Sequence, residues 1–287
     1  MYKIRHPNVV RLYCHFEDDK YIYFVMEYIN KGSVYSLIPK DHKLLPNDTV
    51  ANIIKDVCSA VYFLHSMNPP IIHRDIKPEN VLLSEGNIAK LTDFGWSNYM
   101  QENEVRSTIC GTPIYLAPEI FGDQGHDHRV DIWCIGVLLF ELCTGQVPFL
   151  GKDIESLKYN ILHMRISWPK NIDLEAKNLI SKILKQNPDE RLTIPEILNH
   201  KFFANVIKDP KKYLIKPDPN MIHRPFIISK DDPKNEAALL EEYKKKNLGE
   251  GSNSTQGKSN LKDFLPTNSN EVNNNQNKPK ENKPKAE

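Results

Sequence analysis

Residues 73–80 read H-R-D-I-K-P-E-N, and this stretch decides how the rest of the chain is interpreted. It places a carboxylate, Asp75, two positions before a cation, Lys77, and five positions before an amide, Asn80. The tripeptide Asp93-Phe94-Gly95 follows 13 residues after that amide and adds a second carboxylate. Oxygen ligands of this kind suit Mg²⁺, and a lysine suits a phosphate. The stretch therefore brings acid, cation and amide groups together as candidates for one site.

These strings resemble the motifs of protein kinases. Residues 73–80 resemble the catalytic loop H-R-D-x-x-x-x-N, and residues 93–95 resemble the D-F-G motif. Ala117-Pro118-Glu119 resembles the A-P-E motif that closes the activation segment. The block from His6 to about Phe203 is therefore expected to have an α+β, protein-kinase-like fold. It would be mainly the helical C-lobe, with a two-strand remnant of the N-lobe and the hinge.

The resemblance assigns a role to each polar residue of the loop. Phosphoryl transfer needs positioning and charge neutralisation more than covalent help from the protein. Asp75 would orient the substrate hydroxyl, and Lys77 would neutralise the γ-phosphate. Asn80 and Asp93 would hold the metal ions. The expected cofactors are ATP and Mg²⁺, and a lysine at position 77 indicates Ser/Thr rather than Tyr specificity.

The same resemblance implies a nucleotide pocket and a set of structural contacts. The pocket set comprises Met26 as gatekeeper, the hinge residues Glu27, Tyr28 and Ile29, the floor residue Leu82, and Lys77, Glu79, Asn80 and Asp93. Glu119 is expected to pair with Arg191, since a buried fork of this kind is bidentate. Asp131 would accept backbone N–H bonds from the catalytic loop. Cys134 stands where serine is more usual, and no mechanism is attached to that change.

Within the kinases, the chain resembles the Aurora kinases. The narrower resemblance rests on residues 93–97 (D-F-G-W-S), 110–119 (C-G-T-P-I-Y-L-A-P-E), 126–133 (H-D-H-R-V-D-I-W), and 27–28 (E-Y) followed by 32–35 (G-S-V-Y). The tryptophan after D-F-G is the most discriminating residue. Ala117 departs from the proline that is more usual there. The Polo-like and calcium-dependent groups share much of the remainder, so the subgroup stays open between them.

Regulation and substrate choice follow from the same alignment. Thr108 aligns with the activation-loop phosphosite, and Arg74 and Arg106 are the cations that would clamp its phosphate. Ser107 is a second candidate, and an ordinary loop with incidental hydroxyls is the alternative. Glu79 and Glu141 align with acidic positions that read an upstream arginine of the substrate. For Glu141, pairing within the lobe is the alternative. Thr112 is expected to bond Asp75 and Lys77, and Cys110 is either an exposed, oxidisable thiol or an inert one.

Composition and charge limit the classes of partner that we expect for this chain. The 287 residues carry a formal net charge of +1, which does not favour nucleic acid or a membrane surface. The five cysteines form no C-x-x-C pair, which disfavours zinc and indicates free thiols. The apolar run from Ile132 to Leu142 is shorter than the ~20 residues that span a bilayer. We expect protein substrates, an activating protein partner and an intracellular location. The resemblance implies cytoplasm, nucleus, spindle, centrosome or chromosomes.

Hydrophobic patterning predicts the elements. Residues 9–16 and 21–28 are β-branched and aromatic and predict a hairpin. Apolar spacing predicts a helix from about Leu45 to His65, with an Asn or Asp as its cap. The chain then reads as helical from Asp131 to Phe203. The predicted divisions are 1–32 (N-lobe remnant and hinge), 33–204 (C-lobe), 205–248 (partly helical extension) and 249–287 (disordered Asn/Lys-rich tail).

The given sequence holds no G-x-G-x-x-G string and no V-A-I-K string. The resemblance therefore leads us to expect a fragment, with the anchoring lysine and its glutamate partner absent. Because kinases require that pair, the activity of this chain alone is expected to be low. The two remaining strands would leave an unpaired edge and an apolar patch. The alternative is a catalytically inactive kinase lobe that acts as a scaffold or binding module.

Overall fold

The computed structural model describes residues 4–38, 44–95, 97–99, 113–122, 125–218 and 226–227. All of them belong to the first of two units into which the chain divides, Met1–Asp232. The predicted helix at 235–246 and the predicted disordered tail lie outside the described residues. The boundaries predicted within the extension stay a prediction.

The N-terminal part of the chain forms the predicted hairpin. Strand β1 spans Leu12–Glu17 and strand β2 spans Ile22–Met26, and they pair antiparallel with Phe16 opposite Tyr23. The strands are shorter than the apolar runs that predicted them. Asp18 accounts for the turn, because its carboxylate accepts N–H bonds from Lys20 and Tyr21 at 2.8 Å each. The hairpin leads directly into the predicted hinge.

Helix α1 spans Asn47–His65 and packs its apolar stripe into the core. The predicted Asn or Asp cap is wrong. Pro46 is the N-cap, no side chain caps the helix, and the carbonyl of Pro46 accepts the N–H of Thr49 at 2.9 Å. Proline favours this boundary because it has no N–H to leave unsatisfied at a helix start.

Short strands carry the chain from α1 to the predicted activation segment. They are β3 (Ile71–Ile72), β4 (Val81–Leu83), β5 (Ala89–Leu91) and β6 (Asn98–Tyr99). Strand β3 pairs with β6, and β4 pairs with β5, both antiparallel. This arrangement places residues 73–80 between two small ladders, so both ends of that loop are fixed by backbone hydrogen bonds.

Helix α2 forms the centre of the helical part. It spans Arg129–Thr144, and every residue except Arg129 and Glu141 is buried. A helix that is apolar all round belongs in a core. Its Gly136 lies where a Cβ would come within 2.7 Å of Ile183 and of Leu184, so this glycine permits a close approach. Helices α1 and α4 (Leu174–Ile183) pack against α2, whereas α3 (Ile154–Leu162) packs against Pro118–Phe121 and α5 (Ile194–Leu198) against α1.

The sequence did not predict strand β7, Phe226–Ile227. It pairs parallel with β1, with Cys14 opposite Phe226, and gives the sheet order β2-β1-β7. This later segment covers β1 at Cys14 and His15, whereas β2 pairs only with β1 among the described strands and remains an edge, as predicted. The predicted apolar patch is present on β2, where Ile22 and Phe24 are each about 60% exposed (59% and 61%).

Candidate active site

A carboxylate from α2 anchors the catalytic-loop sequence. Asp131 accepts the N–H of His73 at 2.9 Å, the N–H of Arg74 at 2.8 Å and the Nε2 of His65 at 2.8 Å. Asp131 is fully buried, and burial alone would raise the pKa of its carboxyl. The bonds from His65 and from the loop backbone outweigh the effect of burial and hold that pKa below its usual range. Asp131 is therefore ionised, and its carboxylate holds the backbone of the loop in place.

The loop backbone directly after the two anchored amides is strained. Arg74 has a φ of 68°, a left-handed conformation that costs a non-glycine residue on the order of 1–3 kcal/mol. The bonds from the N–H groups of His73 and Arg74 to Asp131 fix the backbone that leads into this conformation. The turn directs the next residue, Asp75, into the cluster of polar side chains.

Three of the predicted catalytic residues meet in one cluster. The Nζ of Lys77 lies 2.8 Å from Oδ2 of Asp75. The side-chain amide of Asn80 donates to the same Oδ2 and to the carbonyl of Asp75, each at 2.8 Å. Asp75 is only 3% exposed, yet its Oδ1 is buried with no hydrogen-bond partner among the described residues. A buried carboxylate oxygen in that state is set to accept a proton donor from outside the described chain.

Asp93 approaches this cluster through the backbone. The N–H of Thr92 donates to the carbonyl of Asn80 at 2.9 Å, which places Asp93 next to that contact. Asp93 is exposed and has a φ of 58°, and its Oδ1 accepts the N–H of Gly95 at 3.1 Å. Asp93 thus has a left-handed backbone like Arg74, in the turn that follows β5. The side chains of Asp93 and Asn80 form no hydrogen bond with each other in the described part of the chain.

His73 connects the two motifs as a neutral ring. Its Nε2 lies 3.0 Å from the carbonyl of Thr92, and its Nδ1 accepts the N–H of Asp75 at 3.3 Å. A carbonyl can only accept, so Nε2 carries the proton and Nδ1 does not. Burial lowers the pKa of His73, against the pull of Asp131, which agrees with a neutral ring. Phe94 packs edge-on against the same ring at 4.9 Å.

The predicted hinge follows β2. Met26 pairs with Leu12 at the end of the hairpin, and Tyr28 is 85% exposed. The N–H of Glu27 donates to the carbonyl of Arg11 at 2.8 Å. Leu82 lies in β4, half-buried, and bridges to Ser33 just beyond the hinge. The hinge and the predicted adenine floor are thus joined by backbone pairing.

The A-P-E segment is tied to the helical part by the contact expected for Glu119. Arg191 donates from Nη1 and Nη2 to the two carboxylate oxygens at 2.7 and 2.6 Å. Its Nη1 and Nε also donate to the carbonyls of Arg129 and Lys185. The guanidinium lies 5.1 Å from the centre of the Trp133 ring. The pair is bidentate, and the arginine side chain is fully buried.

A second contact holds the same segment from Tyr115. Its hydroxyl donates to Oε2 of Glu141, and its carbonyl accepts the thiol of Cys134 at 3.4 Å. Burial raises the pKa of Tyr115 well above its usual value, and Glu141 raises it further. Burial also raises the pKa of Glu141, with a contribution from Glu79. The cysteine that stands in place of serine therefore serves as a weak donor to the segment.

Several predicted residues lie outside the described residues: Trp96, Arg106, Ser107, Thr108, Cys110 and Thr112. The predicted phosphosite and its second clamp therefore stay predictions. In the part of the chain that the structure describes, no three His, Cys, Asp or Glu side chains are grouped to hold a metal ion. Across the same residues no helix is both long and apolar enough to cross a bilayer.

Sequence reasoning missed three residues that the structure adds to the site. His65 supports Asp131, Lys90 contacts Glu27 with its Nζ 2.8 Å from Oε1, and Tyr115 holds Glu141. Only His65 carried a usable signal, because it is a polar residue at the end of the apolar stripe of α1. The other two depend on which segments meet in space.

The family follows from these features and from comparison with known proteins. The model of the protein kinase domain matches residues 1–203. The chain belongs to the protein kinase domain family, in agreement with its α+β fold and the loop geometry above.

The relatives refine this assignment. An Aurora kinase of Eremothecium gossypii is 39% identical over 199 residues, which cover 69% of this chain and 53% of the relative. An Aurora kinase of Dictyostelium discoideum is 37% identical over 197 residues, covering 69% of this chain and 50% of the relative. Serine/threonine-protein kinase 36 of Pongo abelii is 39% identical over 202 residues, covering 70% and 15%. The chain spans about half the length of the Aurora kinases it matches, and its sequence is Aurora-like.

Proposed function

We propose that this chain carries the catalytic lobe of a protein serine/threonine kinase, which transfers the γ-phosphoryl group of ATP to Ser or Thr hydroxyls of protein substrates. The observation that supports the proposal best is the cluster of Asp75, Lys77 and Asn80, with Oδ1 of Asp75 buried and without a partner among the described residues. A substrate hydroxyl would supply the missing donor. Asp75 then orients that oxygen toward the phosphorus.

Lys77 has a complementary part in the proposed reaction. Its ammonium contacts Asp75 at 2.8 Å and keeps 20% of its side chain exposed, so it can reach a ligand while it stays paired. A cation at this place neutralises charge on the transferred phosphoryl group and stabilises the transition state more than the ground state. Asp131 acts indirectly, because its bonds to the amides of His73 and Arg74 hold the loop in position.

The donor set fits Mg²⁺. The NH₂ group of Asn80 faces Asp75, so its amide oxygen is directed away from that residue. Asp93 offers an exposed carboxylate on the neighbouring segment. Mg²⁺ binds through one or two protein oxygens and takes substrate phosphates as further ligands. Asn80 and Asp93 would hold the ion, which supplies charge neutralisation across the phosphates when bound.

The adenine end of ATP is assigned to the hinge. The N–H of Glu27 is engaged by Arg11, so the carbonyl of Glu27 is the backbone group that we assign to the amino group of adenine. Met26, Tyr28 and Ile29 complete the hinge, and Leu82 is the proposed floor. Tyr28 is 85% exposed, so it would lie at the mouth of this proposed pocket.

Two carboxylates support a preference for basic substrates. Glu79 is exposed on the catalytic loop, and Glu141 is half-buried on α2. Glu79 contributes to raising the pKa of Glu141, which indicates that the two acids influence each other. An arginine upstream of the phosphoacceptor would relieve that repulsion. The contact from Tyr115 limits how freely Glu141 can turn toward such a residue.

Regulation and cellular role are proposed from the sequence and the relatives. Phosphorylation of Thr108 would add a charge that Arg74 and Arg106 clamp. The similarity to Aurora kinases supports a cell-cycle role, an activating protein partner, and a location on spindle, centrosome or chromosomes.

The test is transfer of labelled phosphate from ATP–Mg²⁺ to a Ser-containing peptide with upstream arginines. The full chain and any longer product of the same gene are compared, each with an Asp75→Asn variant. We expect low turnover by the chain alone, higher turnover by a longer product that adds the lysine, and a loss of about 100-fold or more in each variant. A longer product that folds and binds ATP–Mg²⁺ but transfers nothing would favour the scaffold alternative.

A further inference from the structure

Three segments of the chain meet at the side chain of Glu27. The Nζ of Lys90 lies 2.8 Å from Oε1, and the backbone N–H of Arg11 donates to Oε2 at 3.2 Å. The backbone of Glu27 is bound as well, since its N–H donates to the carbonyl of Arg11 at 2.8 Å. The first hinge residue is therefore held at its amide and at both carboxylate oxygens, which leaves its peptide little freedom to rotate.

Arg11 directly precedes β1 of the hairpin, whereas Lys90 contacts Glu27 from a distant part of the sequence. It lies in β5, where its Cα partner across the ladder is Leu82 of β4. Three residues later the chain reaches Asp93. The side chains of Lys90 and Glu27 are 14% and 25% exposed, so the pair is largely shielded from water. One lysine thus touches the hinge from a strand that pairs with Leu82, the proposed adenine floor, and that leads into Asp93, the acid proposed to hold Mg²⁺.

We propose that Lys90 is a positioning residue for the purine of the nucleotide, and that it acts by fixing Glu27 so that the carbonyl of this residue faces the adenine amino group. The proposal rests on the proposed nucleotide-binding function. It concerns the base and not the phosphates, because Lys90 contacts the hinge and not the cluster around Asp75.

The physical reason is the free-energy cost of leaving the Glu27 carboxylate without its ion-pair partner. Without the ammonium, a carboxylate that is three-quarters buried keeps only the amide of Arg11 as a donor, so it turns toward water to regain hydration. That movement rotates the adjoining peptide. A hydrogen bond to the base tolerates only about 0.5 Å of displacement. Affinity for the adenosine part falls, whereas affinity for a magnesium-bound polyphosphate stays.

The experiment measures two ligands on the full chain. Calorimetry or NMR titration gives the dissociation constants of ADP–Mg²⁺ and of tripolyphosphate–Mg²⁺ for the unaltered chain, Lys90→Met and Lys90→Arg. Lys31→Met is the matched control, because Lys31 is exposed and its ammonium contacts Asn87, at 3.0 Å, rather than the hinge. We expect Lys90→Met to weaken ADP–Mg²⁺ about tenfold and to leave tripolyphosphate within about twofold, with Lys90→Arg close to the unaltered chain.

A charge exchange separates positioning from general damage to the fold. Glu27→Lys combined with Lys90→Glu restores an ion pair, so ADP–Mg²⁺ affinity recovers at least partly relative to either single change. Equal ADP–Mg²⁺ affinity of Lys90→Met and the unaltered chain would overturn the role of Lys90 and leave the proposed function standing. Equal weakening of both ligands would also overturn it. An unaltered, folded chain that binds neither ligand would overturn the proposed function and this inference with it.

Discussion

The ion pair between Glu119 and Arg191 gives the sharpest prediction about stability. In a Glu119→Gln variant, the guanidinium of Arg191 stays charged and fully buried, with one amide oxygen in place of a carboxylate. Removal of one partner of a buried pair costs about 3–5 kcal/mol. Glu119 retains 13% exposure, and two carbonyls still accept from Arg191, so the lower end, about 3 kcal/mol, applies. That is a large part of a typical stability of about 5–15 kcal/mol.

The assay is a double-mutant cycle by urea unfolding, followed by far-ultraviolet circular dichroism. Arg191→Met removes the charge and keeps an apolar chain against Trp133. In that background, Glu119→Gln should cost less than about 1 kcal/mol or even stabilise the protein, because it removes a largely buried carboxylate that has lost its partner. Equal m-values across the four proteins are required for the comparison. The same cost of Glu119→Gln in both backgrounds would refute the reasoning, since the loss would then not come from the pair.

Three further predictions use the site and its surroundings. Asp131→Asn should speed amide hydrogen exchange at His73 and Arg74 by about tenfold or more, because a carboxamide cannot accept hydrogen bonds from all three donors that Asp131 binds. Unchanged exchange rates at these two amides would contradict this. Burial lowers the pKa of His6 from 6.5 to about 4, so the unfolded chain takes up this proton first and stability falls as pH drops through that window. The loss between pH 7.5 and 5 is about 2 kcal/mol, and the pH dependence of urea unfolding should be shallower by that amount in His6→Asn. Iodoacetamide at pH 8 should leave four cysteines of the native chain unmodified and modify them after unfolding, because they are buried with raised pKa values; the four are Cys14, Cys58, Cys134 and Cys143.

Contacts between residues that both lie in recognisable motifs could be predicted from the sequence. The bonds from Asp131 to the amides of His73 and Arg74 could be expected because both ends lie in recognisable strings. The fork between Glu119 and Arg191 could be expected for the same reason. The hairpin and the buried helix followed from hydrophobic pattern, which is a local property of the chain.

The remaining contacts depend on the path of the chain. Lys90 and Glu27 are 63 positions apart, and nothing in their local sequences marks them as partners. Strand β7 has two residues, which is too short to carry a period. The cap of α1 was misjudged because Asn47 and Asp48 are good caps, whereas the helix begins one residue after Pro46. Tertiary packing decided that boundary over side-chain preference.

The strained residues fall where sequence rules give least guidance. Four non-glycine residues have a positive φ among the described residues, and two of them, Arg74 and Asp93, lie in the catalytic-loop and D-F-G strings. Propensity disfavours this conformation for Arg74, whereas Asp is among the residues that tolerate it best, so propensity gives only weak guidance at Asp93. Both are held by hydrogen bonds from outside or across their turn, so the strain is stored at the site by its surroundings.

Calorimetric titration of the full chain with ATP is the strongest test of the proposed magnesium-dependent nucleotide site. We expect binding in the presence of Mg²⁺ that weakens about tenfold or more when the ion is removed or when Asp93 is changed to Asn. Asp19→Asn, a change of an exposed acid in the turn between β1 and β2, should bind as the unaltered chain does. Affinity that is the same with and without Mg²⁺, and the same in Asp93→Asn, would rule out the proposed site.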